Sequence, residues 1–198
     1  MTTADVQVQE IHIPTDHQAT LAATLLIPTV DVKAAVMIAP ATGIKRQFYQ
    51  NFAQYLAEQG FGVITFDNEG IGGSLDGRLK QSNASLISWG RYDMPAVLNQ
   101  LIKAFPNTSY HLVGHSAGGQ LFGLMPNHHK LTSVFNVACS SGRIRNMAMP
   151  YRAKAMYFMD VFIPLSNLAF GLTKTSRIGM GEDLPKQVAK QWRDWCNG

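Results

Sequence analysis

One pentapeptide, Gly114-His115-Ser116-Ala117-Gly118, constrains the fold of this 198-residue chain more than any other feature. It fits the pattern G-x-S-x-G, in which a strand turns sharply into a helix and leaves a serine exposed at the bend. The apolar run at residues 110–113 predicts the strand, and residues 119–125 predict the helix. The two glycines suit a bend so tight that side chains there would collide with backbone. We therefore predict a strand–turn–helix unit that presents the Ser116 hydroxyl.

A serine at such a bend has two aids to reactivity. Its oxygen stands clear of the sheet, and backbone N–H groups at the start of the following helix can hold an oxyanion. The alternative is a glycine-rich turn with an incidental serine, because five-residue patterns of this kind also arise by chance. The rest of the chain has to distinguish the two.

Apolar runs and helical patterns alternate along the first two thirds of the chain. Residues 6–13 and 21–27 predict an antiparallel edge hairpin. The near-continuous apolar runs 34–39 and 61–66 are typical of strands buried on both faces, and residues 133–139 predict one more apolar strand. One predicted helix carries Phe48, Phe52, Tyr55 and Leu56 on its apolar face; another, at 94–105, ends before Pro106. The order predicts an α/β fold, a mostly parallel twisted sheet with helices on both faces.

From residue 143 onward the character of the sequence changes, because methionines and aromatic residues become interleaved. We expect residues 1–142 to form the core and residues 143–198 a helical cap, whose last helix begins near Asp183 and carries Leu184, Val188, Trp192 and Trp195. The cap residues either pack only against each other and the core or form a lid over Ser116, with flexible methionines shaping an apolar pocket. A third possibility is that residues 147–170 bind a lipid interface.

Composition excludes several other classes of function. The net charge of +4 is not gathered into a basic run, so we expect no nucleic-acid groove. No stretch reaches about 18 uninterrupted apolar residues, so we expect no membrane span. The polar N-terminus lacks a signal-peptide pattern, which favours a cytoplasmic location. The two cysteines, Cys139 and Cys196, have no metal-ligand spacing.

Three motifs stand in a fixed order along the chain. They are the turn Ala39-Pro40-Ala41-Thr42-Gly43, the loop Asp67-x-x-Gly70-x-Gly72-x-Ser74, and the elbow that continues into Gly119. Together they resemble the α/β-hydrolase superfamily, in its esterase- and lysophospholipase-like branch, over about residues 6–141. The loop at Asp67 is interpreted as structural, with Asp67 capping it.

The resemblance implies a role for particular backbone and side-chain groups. Ser116 matches the nucleophile, and the N–H of Ala117 matches one oxyanion donor. The second donor comes from the turn after the third strand, which points to Ala41, with Thr42 as the next candidate. The family often has His-Gly where this chain has Ala39-Pro40, but a backbone donor does not depend on the side chain. No metal or organic cofactor is implied.

The same resemblance implies an acid and then a histidine after the serine, yet no histidine follows His129. His111 lies about 16 Å from Ser116 along a strand at roughly 3.3 Å per residue. His128 and His129 lie roughly 18 Å away beyond a helix at about 1.5 Å per residue. A general base must come within about 3 Å, and the elbow turns the ring of His115 away from the serine oxygen.

We therefore expect a C-terminally truncated hydrolase, in which the acid, the histidine and two further strands are missing. The strand at 133–139 would then have an unpaired apolar edge, covered by the cap, by another copy of the chain or by a partner. The leading hypothesis is a serine hydrolase that cleaves small-molecule esters or thioesters with an apolar acyl group through an acyl-enzyme on Ser116, and that is inactive in this form. The alternative is a non-catalytic binding or interaction module.

Overall fold

A six-stranded sheet forms the centre of the computed structural model, which describes residues 4–198. The strands follow the order β1-β2-β4-β3-β5-β6; the β1–β2 and β2–β4 pairs are antiparallel and the other three pairs are parallel. They are β1 Val6–Pro14, β2 Thr20–Pro28, β3 Ala34–Ala39, β4 Phe61–Phe66, β5 Tyr110–His115 and β6 Ser133–Val137. The predicted α/β fold with a mostly parallel sheet is confirmed.

The central strand β3 is buried along its whole length because helices cover both faces of the sheet. Val36 and Ile38 pack into the cluster beneath the first long helix, whereas Met37 packs into the larger cluster on the opposite face. Burial on both sides explains why β3 and β4 carry no polar alternation.

The helices divide between the two faces and the segment that follows the sheet. They are α1 Gln50–Glu58, α2 Leu86–Ser88, α3 Met94–Ala104, α4 Ala117–Gln120, α5 Tyr151–Tyr157, α6 Ile163–Phe170 and α7 Lys186–Asn197. A π-helical stretch, Phe158–Phe162, joins α5 to α6, and a two-stranded hairpin, β7 Leu172–Thr173 with β8 Leu184–Pro185, precedes α7. α3 buries Met94, Val97, Leu98 and Leu101, the spacing that the sequence predicts.

The apolar face predicted for α1 is wrong. Phe48, Phe52 and Tyr55 are exposed and Leu56 is only partly buried, whereas Tyr49, Ala53 and Ala57 face the sheet. The physical reason is the closeness of the contact, since alanines on the inner face let the helix backbone approach the sheet while the large rings remain outside.

Three predicted boundaries also differ. After the elbow only Ala117–Gln120 is α-helical, and a 3-10 turn, Leu121–Leu124, follows before Pro126. The last strand ends at Val137 rather than at residue 139. The last helix begins at Lys186, and Leu184 belongs to β8.

The Asp67 carboxylate ties four parts of the core together. It has no solvent exposure and accepts hydrogen bonds from the Arg46 backbone N–H, from the Arg46 guanidinium and, at 2.9 Å, from the Gly73 N–H. The Arg46 guanidinium also donates to Glu10 on β1 and Thr24 on β2. These bonds give Asp67 a structural role in its loop, as its sequence context predicts.

The edge of the sheet at β6 is open. Phe135 is 67% exposed and Val137 is 43% exposed, and neither belongs to the buried core. Of the three covers expected for this edge, the chain's own residues 143–198 do not provide one. Unpaired apolar edges favour strand pairing.

We expect the chain to self-associate through β6. Light scattering should give a mass above the monomer's 21.8 kDa that rises with protein concentration, and Phe135→Lys should return it to the monomer. Val8→Lys is the matched control, because Val8 is an exposed valine on β1 at the opposite edge of the sheet. A wild-type mass that stays monomeric at every concentration would contradict the prediction.

Two carboxyl groups meet beneath the loop that follows β4. Asp93 is fully buried, and its Oδ2 accepts the Glu69 backbone N–H at 2.8 Å while its Oδ1 has no partner among the described residues. Burial raises the pKa of Asp93 well above its usual value; the bond from the Glu69 N–H lowers this pKa and the Glu69 charge raises it. Burial also raises the pKa of Glu69, although the charge of His17 opposes that change.

This raised pKa makes the free energy of unfolding depend on pH. An acid whose folded pKa is raised contributes stability below its unfolded pKa of about 3.9, and that contribution is lost as the pH rises through the folded value. Asp93→Asn should therefore increase the free energy of unfolding at pH 8 by about 1–2 kcal/mol and by less at pH 5. Urea titrations at both pH values measure the difference, and an equal loss of stability at both would refute it.

Candidate active site

Ser116 occupies a strained turn between β5 and α4. Its φ is 50° and its ψ is −114°, a positive-φ conformation that non-glycine residues rarely adopt. The turn is fixed by hydrogen bonds, because the Ser116 N–H donates to Val137 O at 2.9 Å and the Ser116 carbonyl accepts from the Gly119 and Gln120 N–H groups. The sheet and the helix start thus hold the serine backbone from both sides.

The glycines around Ser116 are required by close packing. A Cβ at Gly114 would overlap the Gly119 backbone, and a Cβ at Gly118 would overlap the carbonyl of Ala39 at the end of β3. A Cβ at Gly119 would overlap the side chains of Asn136 and Cys139. The elbow therefore sits directly against β3 and the end of β6.

A cavity of about 630 Å³ lies between the elbow and residues 143–198. Its floor includes Thr42, Ser116 and Ala117. Its roof is mostly apolar and includes Met147, Tyr151, Phe158, Met159, Trp192 and Trp195. The segment rich in methionine and aromatic residues thus covers the serine, and it also packs on the core through Met159 and Ile163.

Two backbone N–H groups beside the serine are available to a ligand. Among residues 4–198, the N–H groups of Ala117 and Thr42 have no protein acceptor, and both residues line the cavity. The Ala41 N–H differs, because it donates to the buried Tyr49 hydroxyl at 2.9 Å. Within the turn after β3, Thr42 is therefore better placed than Ala41 to face a charged oxygen.

The Tyr49 hydroxyl joins the turn after β3 to the elbow. It accepts the Ala41 N–H and lies 2.9 Å from Nδ1 of His115. Burial raises the pKa of Tyr49 to about 12, against the lowering effect of the Ala41 N–H bond, so the phenol keeps its proton. Because its oxygen accepts from Ala41, its proton is available to His115 Nδ1.

None of the six histidines, all of which lie within the described residues, bonds to the Ser116 hydroxyl. The ring of His115 points to Tyr49 and stacks beside Phe48. His111 bonds to Ser133 and Ser109 at the far end of β5. The remaining four lie elsewhere: His12 on β1, His17 stacked on Tyr92, His128 bonded to Met125 O, and His129 exposed.

The acidic side chains after residue 143 are also engaged away from the serine. Asp160 accepts from Arg193 and Asn197, and Asp183 pairs with Lys174. Asp194 pairs with Lys190, and Glu182 with Lys45. The described residues therefore place Ser116 in a cavity with two N–H groups that have no protein acceptor, and none of these histidine or acidic side chains bonds to the Ser116 hydroxyl.

Sequence reasoning missed two groups that position the site. The role of Tyr49 was missed because the large rings of Phe48, Phe52 and Tyr55 suggest a different inner face for α1. Asn136 and Cys139 pack against Gly119, and no sequence pattern marks either residue for that role.

Among the described residues no cluster of His, Cys, Asp or Glu is suited to a metal ion. No helix in the described part of the chain is long and apolar enough to cross a membrane.

The packing of Gly118 against β3 gives a test of the elbow. We expect Gly118→Ala to lower the free energy of unfolding by about 2–3 kcal/mol, because the new methyl group overlaps the Ala39 carbonyl. Gly123→Ala is the control, since a Cβ at Gly123 would meet nothing within 4 Å. Urea unfolding measures both, and equal effects of the two substitutions would argue against the close approach.

The fold of the chain is similar to the folds of several solved structures. The chain aligns with a thermostable carboxyl esterase from Bacillus coagulans (TM-score 0.58, 16% identity), covering 87% of this chain and 55% of the esterase. It aligns with a hypothetical protein from Pseudomonas aeruginosa (TM-score 0.64, 16% identity), covering 97% of this chain and 72% of that protein. It also aligns with a lipase in an open form (TM-score 0.61, 18% identity), covering 97% of this chain and 74% of the lipase. These likenesses concern the fold. The chain thus spans little more than half the length of the Bacillus coagulans esterase.

A search of curated proteins found no match to the sequence. The family described as serine aminopeptidase, S33, matches residues 30–193, which include the turn after β3, the elbow and most of the roof. The chain therefore belongs to this family of α/β hydrolases.

Proposed function

We propose that the chain carries the nucleophile and the oxyanion donors of a serine hydrolase site. This type of site cleaves carboxylic esters or thioesters, here with an apolar acyl group. The observation that supports this most directly is the Ser116 elbow, which opens on a cavity beside two unpaired N–H groups. Oxyanion donors that are already oriented stabilise the charge that develops in the transition state, which lowers the barrier to acyl transfer.

The proposed reaction proceeds in two steps. The Ser116 Oγ attacks the acyl carbonyl as a base removes its proton, and the N–H groups of Ala117 and of the turn after β3 receive the oxyanion. Collapse releases the alcohol or thiol, which takes up a proton, and leaves the acyl group on Ser116. Water then attacks this acyl-enzyme and releases the carboxylic acid. In the turn, the Thr42 N–H is our first choice of donor, since the Ala41 N–H is engaged by Tyr49.

The lining of the cavity favours an ester or thioester over a peptide with a free N-terminus. An aminopeptidase substrate carries an ammonium group near the scissile bond, and a carboxylate is its natural partner. Among the described residues that line the cavity none is acidic, and Lys154 is the only charged one. The rings and methionines of the roof instead suit a hydrocarbon chain.

The second candidate function is a non-catalytic binding module, and the positions of the histidines favour it. A serine hydroxyl is a weak nucleophile until a neighbouring base takes its proton, and no described histidine bonds to Ser116. We therefore expect slow turnover by this chain, and weak or no labelling by a fluorophosphonate probe. A form that supplies the base should label strongly and only when Ser116 is present.

Chemical rescue separates the two candidates. Imidazole added to the purified chain can enter the cavity and act as the missing base, so it should accelerate hydrolysis of p-nitrophenyl butyrate by about tenfold or more over the imidazole blank. Ser116→Ala should abolish the increase. Ser140→Ala, which changes another serine of the cavity lining, should leave it intact. Rescue that is equal in the wild type and Ser116→Ala would remove Ser116 as nucleophile and favour the binding module.

A further inference from the structure

The roof of the cavity contains a helical segment whose two opposite faces are both apolar. This segment, residues 151–170, comprises α5, the π-helical stretch and α6. Its inner face packs on the core through Met159, Ile163 and Ser166, which are all buried, and Phe158 packs against Trp192 of α7. The inner face thus packs on the core and against α7, and it contributes to the lining of the cavity.

The outer face of the same segment carries a row of exposed apolar side chains. Tyr157, Val161, Leu165 and Leu168 follow one another at helical spacing, and Leu165 and Leu168 are 59% and 84% exposed. Met149, Tyr151 and Phe170 extend this outer stripe at its two ends and are also exposed. A helix on a protein surface ordinarily turns polar residues outward, so a continuous apolar stripe indicates a binding surface.

Positive charge flanks the outer stripe. Lys154 is exposed one turn before Tyr157 and also lines the cavity, and the Arg177 guanidinium lies 5.4 Å from the Phe170 ring at the other end. The only acidic residue within 143–181 is Asp160, whose carboxylate is held by Arg193 and Asn197 of α7. Basic residues are frequent in this stretch, namely Arg143, Arg145, Arg152, Lys154, Lys174 and Arg177.

We propose that the outer stripe docks on an anionic phospholipid surface, with α5 and α6 lying in the plane of the interface. Leu165 and Leu168 would enter the boundary between headgroups and acyl chains, and Lys154 and Arg177 would meet the phosphates. Tyrosines at positions 151 and 157 suit the level of the headgroups. A second copy fits less well, because stacking two stripes would bring the same positive charges together.

Docking at this surface does not depend on the proposed chemistry of Ser116. It would, however, place the roof of the cavity at the lipid boundary, because Tyr151, Lys154 and Phe158 of the same segment line the cavity. Ser116→Ala should therefore bind lipid as the wild type does, so that failure of the hydrolase proposal and failure of this one give different results.

Vesicle flotation tests the proposal on the whole chain. The wild type should float with vesicles of phosphatidylcholine and phosphatidylglycerol, float less with phosphatidylcholine alone, and be released in part by high salt. Leu165→Glu together with Leu168→Glu should reduce the bound fraction about tenfold, since both the apolar contact and the charge are changed. Lys154→Gln should weaken binding only to the anionic vesicles.

Val8→Glu is the matched control, because it places the same charge at an exposed valine on β1, away from the stripe. Unchanged near-ultraviolet circular dichroism should confirm that the double variant is folded. The proposal is overturned if the wild type does not float with either vesicle, if the double variant floats as well as the wild type, or if the double substitution only converts an oligomer into a monomer.

Discussion

The site depends on how closely the elbow approaches the neighbouring strand. Three glycines leave room for the backbone of β5, α4 and β3 to meet, and Gly118 lies directly against the Ala39 carbonyl. This contact fixes the distance between the helix start that carries the Ala117 N–H and the turn that carries the Thr42 N–H. The two N–H groups therefore owe their spacing to the absence of side chains at the glycines.

The sequence was most informative where burial is uniform or where backbone geometry demands one residue type. Strands β3 and β4 were predicted to the residue, because a strand covered on both faces leaves an unbroken apolar run. The elbow was predicted because its bend tolerates only glycine at positions 114 and 118. The inner face of α1 was not predicted correctly, because large apolar residues suggest burial. The close helix–sheet contact instead selects the small residues Ala53 and Ala57 for the inner face.

The remainder of the site follows from tertiary contacts that have no local signature. Tyr49 is eight residues from Ala41, and only the path of the chain into α1 brings its hydroxyl to the Ala41 N–H. The same hydroxyl lies 2.9 Å from His115 Nδ1, so the histidine next to Ser116 in sequence bonds to Tyr49 and not to Ser116. The sequence pattern indicated Ser116 and Ala117 as candidates and ranked Ala41 ahead of Thr42, but the Ala41 N–H is engaged by Tyr49 and the Thr42 N–H has no protein acceptor among the described residues.

The floor and the roof of the cavity come from separate stretches of the chain. The floor belongs to Thr42 and to residues 116–121, which lie next to the sheet, whereas the roof belongs to residues 138–196, which contact the sheet little. Evolution could therefore exchange roof residues for others of different size without disturbing the bend at Ser116. Divergence of substrate preference among related proteins should accumulate in the roof, while the floor changes slowly.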